Sequence, residues 1–291
     1  MVADGGAWEA GLTQWPKSAV DGPLTPVDLK TDVAHSARMY DYYLGGKDNF
    51  PADRQAAEQV RTTMPEVVHG AVQNRAFLVR AIRYLAAEAG LRQFLDIGTG
   101  IPTSPNLHEV AQVVAPTSRL VYVDNDPIVL AHARALLTSR PEGATAYLDA
   151  DFRDPQRILT APELLETLDL TRPIGLSLGA LLPFIPEQAD PEGIVRQLID
   201  ALPSGSYLTV TYLTTDFSPD QVAKTVDIYR AQNIPVHPRT HDEILRFFDG
   251  LDVVDPGVTP LHRWRPDATV VDSPEAEEGG RLAYAGVARK P

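Results

Sequence analysis

The sequence predicts an α/β fold: a doubly wound sheet of mostly parallel strands, with its ligand at their carboxyl ends. Three observations carry that expectation. Residues 94–97, 120–123 and 174–178 are short, nearly continuous apolar runs, the pattern of strands covered on both faces. With the runs at 144–148 and 207–212, and a helix-length segment between each and the next, the β-α unit recurs five times. Two of the strands end in acid and glycine: Asp96, Gly98 and Gly100 after the first, Asp124 to Pro127 after the second. Finally, segments 252–254 and 282–287 make a late pair that adds an antiparallel hairpin, for seven strands in all.

Composition bounds the chemistry. At 291 residues the chain has room for one large catalytic domain with an extension. It has no cysteine, which excludes disulfides, thiolate metal sites and a cysteine nucleophile. The seven histidines form no close ligand cluster, so no metal is expected. A net charge of −13, from 26 basic and 39 acidic residues, argues against nucleic acid and anionic membrane as partners. Neither a membrane-length apolar run nor a signal-peptide pattern is present, and a cytoplasmic protein is expected. The sequence is silent on oligomeric state.

The elements follow in order. Residues 1–30 mix Gly, Pro, Asp and Trp without periodicity and read as a flexible arm. Residues 31–90 read as a helical extension and 91–291 as the ligand-binding domain. In the extension, an aromatic helix at 35–44 stops at Gly45 and Gly46, before the polar turn Lys47 to Pro51. It reads either as a lid over the site or as a docked terminal helix. Helices at 53–62 and 67–90 read as scaffold; the second carries an apolar stripe through Val72, Phe77, Leu78, Ile82 and Leu85. After the glycine turn, Pro102 and Pro105 delay the next helix to about Asn106. Further helices are expected at 128–137, 194–202, 219–232 and 241–248, with a loop rich in Pro, Glu and Gly over 266–280. Trp264 reads as a partly buried surface aromatic or as a wall of the acceptor pocket.

The turn chemistry points to a nucleoside. A strand tip without side chains lets backbone N–H groups approach a ligand closely. A dinucleotide fold wants G-x-G-x-x-G, but Thr103 stands where a third glycine would serve; D-x-G-x-G, met by Asp96, Gly98 and Gly100, is the pattern of S-adenosylmethionine (SAM) methyltransferases. Asp126, followed by Pro127, suits a helix cap, which leaves Asp124 at its strand tip to accept hydrogen bonds from ribose hydroxyls. Asp151 and Phe152 follow the third strand, where an acid facing an adenine amino group and an apolar ring neighbour belong; Asp151 could equally cap the next helix. The stretch 177–184 lies where the methyl acceptor should meet the cofactor. It lacks the acid or amide with Pro-Pro and an aromatic expected of base-modifying enzymes, which weakens a DNA substrate.

These residues resemble a family of functionally uncharacterised bacterial proteins grouped as S-adenosyl methyltransferases. The resemblance rests on HSARMYDYYLGGKDNF at 35–50, FLDIGTGIPT at 94–103, HEVAQ at 108–112, VYVDNDPIVLAHAR at 121–134, and residues 247–250 with 264–266. It implies a Rossmann-like class I SAM methyltransferase fold with an N-terminal helical extension. It also implies that Asp96, Gly98 and Gly100 hold the amino-acid end of SAM, Asp124 and Asn125 the adenosine, and Asp151 and Phe152 the adenine, with Thr99 and Ser177 also at the cofactor site. Tyr43, Gly46 and Lys47 would cover the pocket. Relatives commonly carry a histidine after the fourth strand, where this chain has Leu182, Pro183 and Phe184.

The expected activity is methyl transfer from SAM to a small molecule, at oxygen or nitrogen. Alignment and desolvation supply much of the rate, because the sulfonium charge is lost as the reaction proceeds. An oxygen acceptor needs a proton removed, for which Asp41, Tyr42 and His241 are candidates. The alternative is a non-catalytic SAM sensor that keeps the pocket, and a nicotinamide oxidoreductase is disfavoured by Thr103.

Overall fold

The computed structural model describes residues 30–136, 139–267 and 273–291. The arm expected at 1–30 lies, except for Lys30, outside them. Three helices come first: α1 (Ser36–Tyr43), α2 (Pro51–Thr63) and α3 (Val67–Ala87). The alternating core follows as β1 (Gln93–Ile97), α4 (Leu107–Val114), β2 (Arg119–Asp124), α5 (Pro127–Leu136) and β3 (Ala144–Asp149). It continues through α6 (Pro155–Leu159), α7 (Pro162–Thr167), β4 (Gly175–Gly179), α8 (Pro191–Asp200) and β5 (Tyr207–Leu213). The chain ends with α9 (Pro219–Ala231), α10 (His241–Leu245), β6 (Asp252–Val253), β7 (Thr259–Pro260), α11 (Pro274–Gly280) and β8 (Ala283–Arg289).

The strands form one sheet in the order β3-β2-β1-β4-β5-β8-β6, with β7 pairing β8 off that path. Pairs from β3 to β5 are parallel, and β8 runs antiparallel to β5, β6 and β7. The expected plan of seven strands is therefore extended by the two-residue β7, which has no apolar run to announce it. Alternation along β1 sends Leu95 and Ile97 to one face, with Leu176, Ile158 and Leu198. Phe94 goes to the other, with Phe77 and Leu85 of α3 and Ala111 of α4. Trp264 belongs to that second core: it is fully buried, edge-on to Phe77 and Tyr84 at 5.3 and 5.8 Å, and is not a wall of the site. A third cluster, including Met39, Ala57, Val60 and Tyr229, joins α1, α2 and α9.

Two local expectations are corrected. The loop expected over 266–280 contains α11, capped by Ser273, whose hydroxyl accepts from the Ala276 amide at 3.2 Å. Its glycines weaken an isolated helix but let it dock on α3: a Cβ at Gly279 would meet the His69 backbone at 2.5 Å. The cap of α6 is Asp154, which accepts from Arg157 N–H at 3.1 Å, so Asp151 is free of that duty.

Candidate functional site

A cavity of about 540 Å³ opens at the carboxyl ends of β1 to β4. Its floor is the set of strand tips. Gly98 and Gly100, with φ of +74° and +66°, turn the chain where other residues are strained, and nothing lies closer than Ala37 Cβ, at 4.0 Å, to a Cβ built on Gly100. The turn is tied to the second strand tip: Gly100 N–H donates to Asp124 Oδ2 at 2.8 Å, and Asp126 N–H donates to Asp124 Oδ1 at 2.9 Å. Each carboxylate oxygen keeps a lone pair for an outside donor. Burial raises the Asp124 carboxyl above the usual range, against the two amides and His35. Asp126 does cap α5, accepting from Ile128 N–H at 2.9 Å.

At the third tip, Arg153 holds Asp151 through Nε at 2.9 Å and Nη2 at 2.5 Å, and Asn125 Nδ2 reaches it at 3.2 Å. The guanidinium keeps the Asp151 carboxyl below the usual range, ionised at neutral pH. Phe152 is buried beside it on the cavity wall. The structure thus brings Gly98, Thr99, Gly100, Asp124, Asn125, Asp151 and Phe152 to one surface.

Asp96 and Ser177 lie beneath that surface, opposite each other across β1 and β4, and both are buried. Burial pushes the Asp96 carboxyl up to about 6, while the Ser177 and Thr99 hydroxyls and the charge of Arg75 pull the other way. Their position under the turn makes them supports for it.

The roof differs from expectation. Tyr43 reaches the cavity, but Gly46 and Lys47 are exposed and outside its lining. The first half of α1 covers the turn instead, through His35, Ser36, Ala37 and Arg38. Buried charges clamp it: Arg38 sits 3.6 Å from both Asp53 and Asp126, His35 Nδ1 is 3.2 Å from Asp126, and Asp53 accepts from His35 N–H at 2.8 Å. From α3 come Asn74 and Arg75, and from the far side Leu181, Phe184, Tyr229 and Ile234. Phe184 meets Tyr229 edge-on at 5.9 Å, and the Tyr43 and Tyr229 hydroxyls are 3.4 Å apart.

The three candidates for proton removal are placed elsewhere. Asp41 accepts from Asp48 N–H at 3.0 Å and Asn49 Nδ2 at 2.7 Å, and it shapes the Gly-Gly turn; a Cβ at Gly46 would overlap its carboxylate. Tyr42 donates its hydroxyl to Glu58. His241 packs on Tyr284 at 4.7 Å with Nε2 3.1 Å from the Val258 carbonyl. None of the three lines the cavity. Sequence reasoning missed His35, Arg38, Asn74, Arg75 and Tyr229. One mark of them was available, a polar run Gln73-Asn74-Arg75 inside an otherwise apolar helix.

An acid at the second strand tip, an acid and a ring at the third, and a bare glycine turn share the cavity wall. Residues 24–291 match the family model described as S-adenosyl methyltransferase. A DUF574 family protein from Streptomyces avermitilis MA-4680 is 51% identical, with a TM-score of 0.88 over 91% of this chain and 100% of that one. A candidate methyltransferase from Thermobifida fusca YX is 40% identical, with a TM-score of 0.82 over 92% and 99% of the two chains. Comparison with the curated proteins finds no match. On the family model and these two likenesses, the chain belongs to the S-adenosyl methyltransferase family, whose cofactor is SAM.

Proposed function

We infer that the protein methylates a small, largely apolar molecule, with SAM held across the strand tips. The observation that carries this reading is Asp124: its carboxylate is pinned on the cavity wall by the Gly100 and Asp126 amides and is aimed by them rather than by solvent. Asp124 and Asn125 would bind the ribose, Asp151 and Phe152 the adenine, and the turn 98–100 the chain beyond. When bound, the cofactor supplies a sulfonium methyl for in-line displacement, the sulfur keeping the electrons of the broken bond. This chain's part is to align and to exclude water, which α1 does from above.

The acceptor half would be the region of Tyr43, Leu181, Phe184, Tyr229 and Ile234. Burial holds both tyrosines in the neutral form, Tyr229 at about 12 and Tyr43 higher still. They serve as hydrogen-bond partners, not bases, which suits an acceptor whose lone pair is already free, such as an amine or an acidic hydroxyl. The same lack of a base among the described residues of that half favours the second reading, a SAM sensor.

Calorimetric titration with SAM, its demethylated product and NADH tests the cofactor. Saturable binding of the first two and none of NADH is expected. Asp124→Asn should weaken SAM by about 100-fold, as expected for loss of charged hydrogen bonds to two hydroxyls. Unchanged affinity removes Asp124 from the site. Labelled methyl transfer into a metabolite extract separates enzyme from sensor.

A further inference from the structure

Three arginines of the described residues line the cavity, and two are answered by acids: Arg38 by Asp53 and Asp126, Arg153 by Asp151. Among the described residues, Arg75 has no carboxylate at ion-pair distance. Its Nη2 donates to the Thr103 carbonyl at 2.7 Å and to the Pro105 carbonyl, which fixes the guanidinium beside the glycine turn without neutralising it. Among the described residues, Nε has no hydrogen-bond partner and Nη1 makes no hydrogen bond. Its charge is felt nearby: burial raises the pKa values of Tyr40, Asp96 and Tyr122, and Arg75 pulls against that rise in each.

The neighbouring residue has the opposite deficit. Asn74 is buried, and its Nδ2 donates to Tyr40 Oη at 2.7 Å, which is itself anchored to the Ala71 carbonyl at 3.0 Å. That leaves Asn74 Oδ1 without a donor. A guanidinium with unfilled donors and no carboxylate, beside an amide oxygen lacking a donor, is the complement of a zwitterion. Arg75 is half-buried, but its Nε and Asn74 Oδ1 are buried, and buried polar atoms left in this state are costly unless a partner completes them.

We propose that Arg75 and Asn74 anchor the α-amino-acid end of SAM: the Arg75 guanidinium takes the carboxylate, and Asn74 Oδ1 takes the ammonium. The proposal rests on the cofactor reading above and adds to it the positioning residues for the methionine tail. Sequence reasoning gave that role to Asp96, Gly98 and Gly100, of which Asp96 lies under the turn. Holding the tail from α3 and the adenosine from β2 and β3 would stretch the cofactor between two rigid elements, fixing the sulfonium between them.

The test compares SAM with 5′-deoxy-5′-methylthioadenosine, which keeps the adenosine and lacks the amino-acid end. Wild-type protein should bind SAM 10- to 100-fold more tightly than the thionucleoside, the range for charge-assisted hydrogen bonds. Arg75→Gln should erase that difference while leaving thionucleoside affinity within twofold. Arg75→Lys, which keeps the charge and less of the geometry, should restore part of it. Equal weakening of both ligands by Arg75→Gln means that Arg75 only braces the Thr103 to Pro105 loop, and it overturns the proposal. So does unchanged SAM affinity, which would leave the guanidinium to a carboxylate on the acceptor. Wild-type protein that binds neither nucleoside overturns the cofactor reading, and this one falls with it.

Discussion

The floor and the roof of the cavity are held by different forces. The floor consists of four strand tips, each a few consecutive residues, three of them joined by main-chain hydrogen bonds, Gly98 N–H to the Val123 carbonyl and Ala150 N–H to the Asp124 carbonyl. The roof gathers side chains from residue 35 to residue 235 and is fastened by the buried charges of Arg38, Asp53 and Asp126. A floor built on backbone tolerates sequence change wherever the turn survives. A roof built on buried ion pairs stands only while every partner is present, because each charge is uncompensated alone. On the reading proposed above, the floor would hold the nucleoside, and the roof would serve closure and the acceptor.

Breaking the roof should give the largest effect. Arg38 is 3% exposed, and its removal leaves Asp53 and Asp126 buried without their cation. Arg38→Met, which keeps the apolar stem against Phe50, should cost about 3–5 kcal/mol, or a fall of roughly 10 °C in Tm. The loss should fall on the roof first. Hydrogen exchange of α1 and α2 amides should rise far more than that of β1, β2 and β4. Uniform acceleration across sheet and helices would mean that roof and floor are one cooperative unit, and the distinction drawn above would be lost.

A smaller effect sharpens the distinction from below. Asp96 supports the floor at a cost: its carboxyl lies at about 6 when folded, against 3.8 as the ordinary value. Between those values the folded state holds more protons than the unfolded one. Stability therefore declines as pH rises from about 4 to about 6 and stays lower above that. Asp96→Asn removes the penalty. It should stabilise the protein by on the order of 2 kcal/mol at pH 7.5 and by almost nothing at pH 4. Denaturant unfolding at the two pH values checks this; a variant equally affected at both would show that Asp96 is paired rather than merely desolvated.

The same contrast governs what could be read in advance. The floor was legible because its chemistry is local: Asp96-x-Gly98-x-Gly100 and Asp124-Asn125-Asp126-Pro127 announce turn, acid and cap in a handful of residues, and the strand runs before them fix where they lie. The mostly parallel sheet and the late antiparallel pair were legible from the same runs; the strand order was not. The roof was not. Asp41, in a charged aromatic helix, reads as a reactive acid, yet its hydrogen bonds to Asp48 and Asn49 show that it folds the Gly-Gly turn. Arg75 reads as a scaffold arginine because what distinguishes it is a missing partner, and a missing partner exists only in three dimensions. Trp264 misleads for the opposite reason: bulk and aromaticity suit a pocket wall and a core equally, and only its contact with Phe77 and Tyr84 decides.

The smallest effect concerns the far side of the roof, where the acceptor would enter. The Tyr43 and Tyr229 hydroxyls stand 3.4 Å apart, a weak mutual bond at the outer limit of hydrogen bonding. Tyr229→Phe keeps the ring against Phe184, so stability should change by less than about 1 kcal/mol. SAM affinity should stay within twofold, since the strand tips and Arg75 are untouched. What should change is the acceptor: its KM should rise about 5- to 10-fold for lack of one neutral hydrogen bond, with kcat little altered. Because the phenol titrates only near pH 12, it cannot act as a base at neutral pH, and the pH profile of kcat should be the same in wild type and variant. A fall in SAM affinity matching that of Asp124→Asn would place the cofactor under the roof's far side, and the division of the cavity into a nucleoside half and an acceptor half would have to be redrawn.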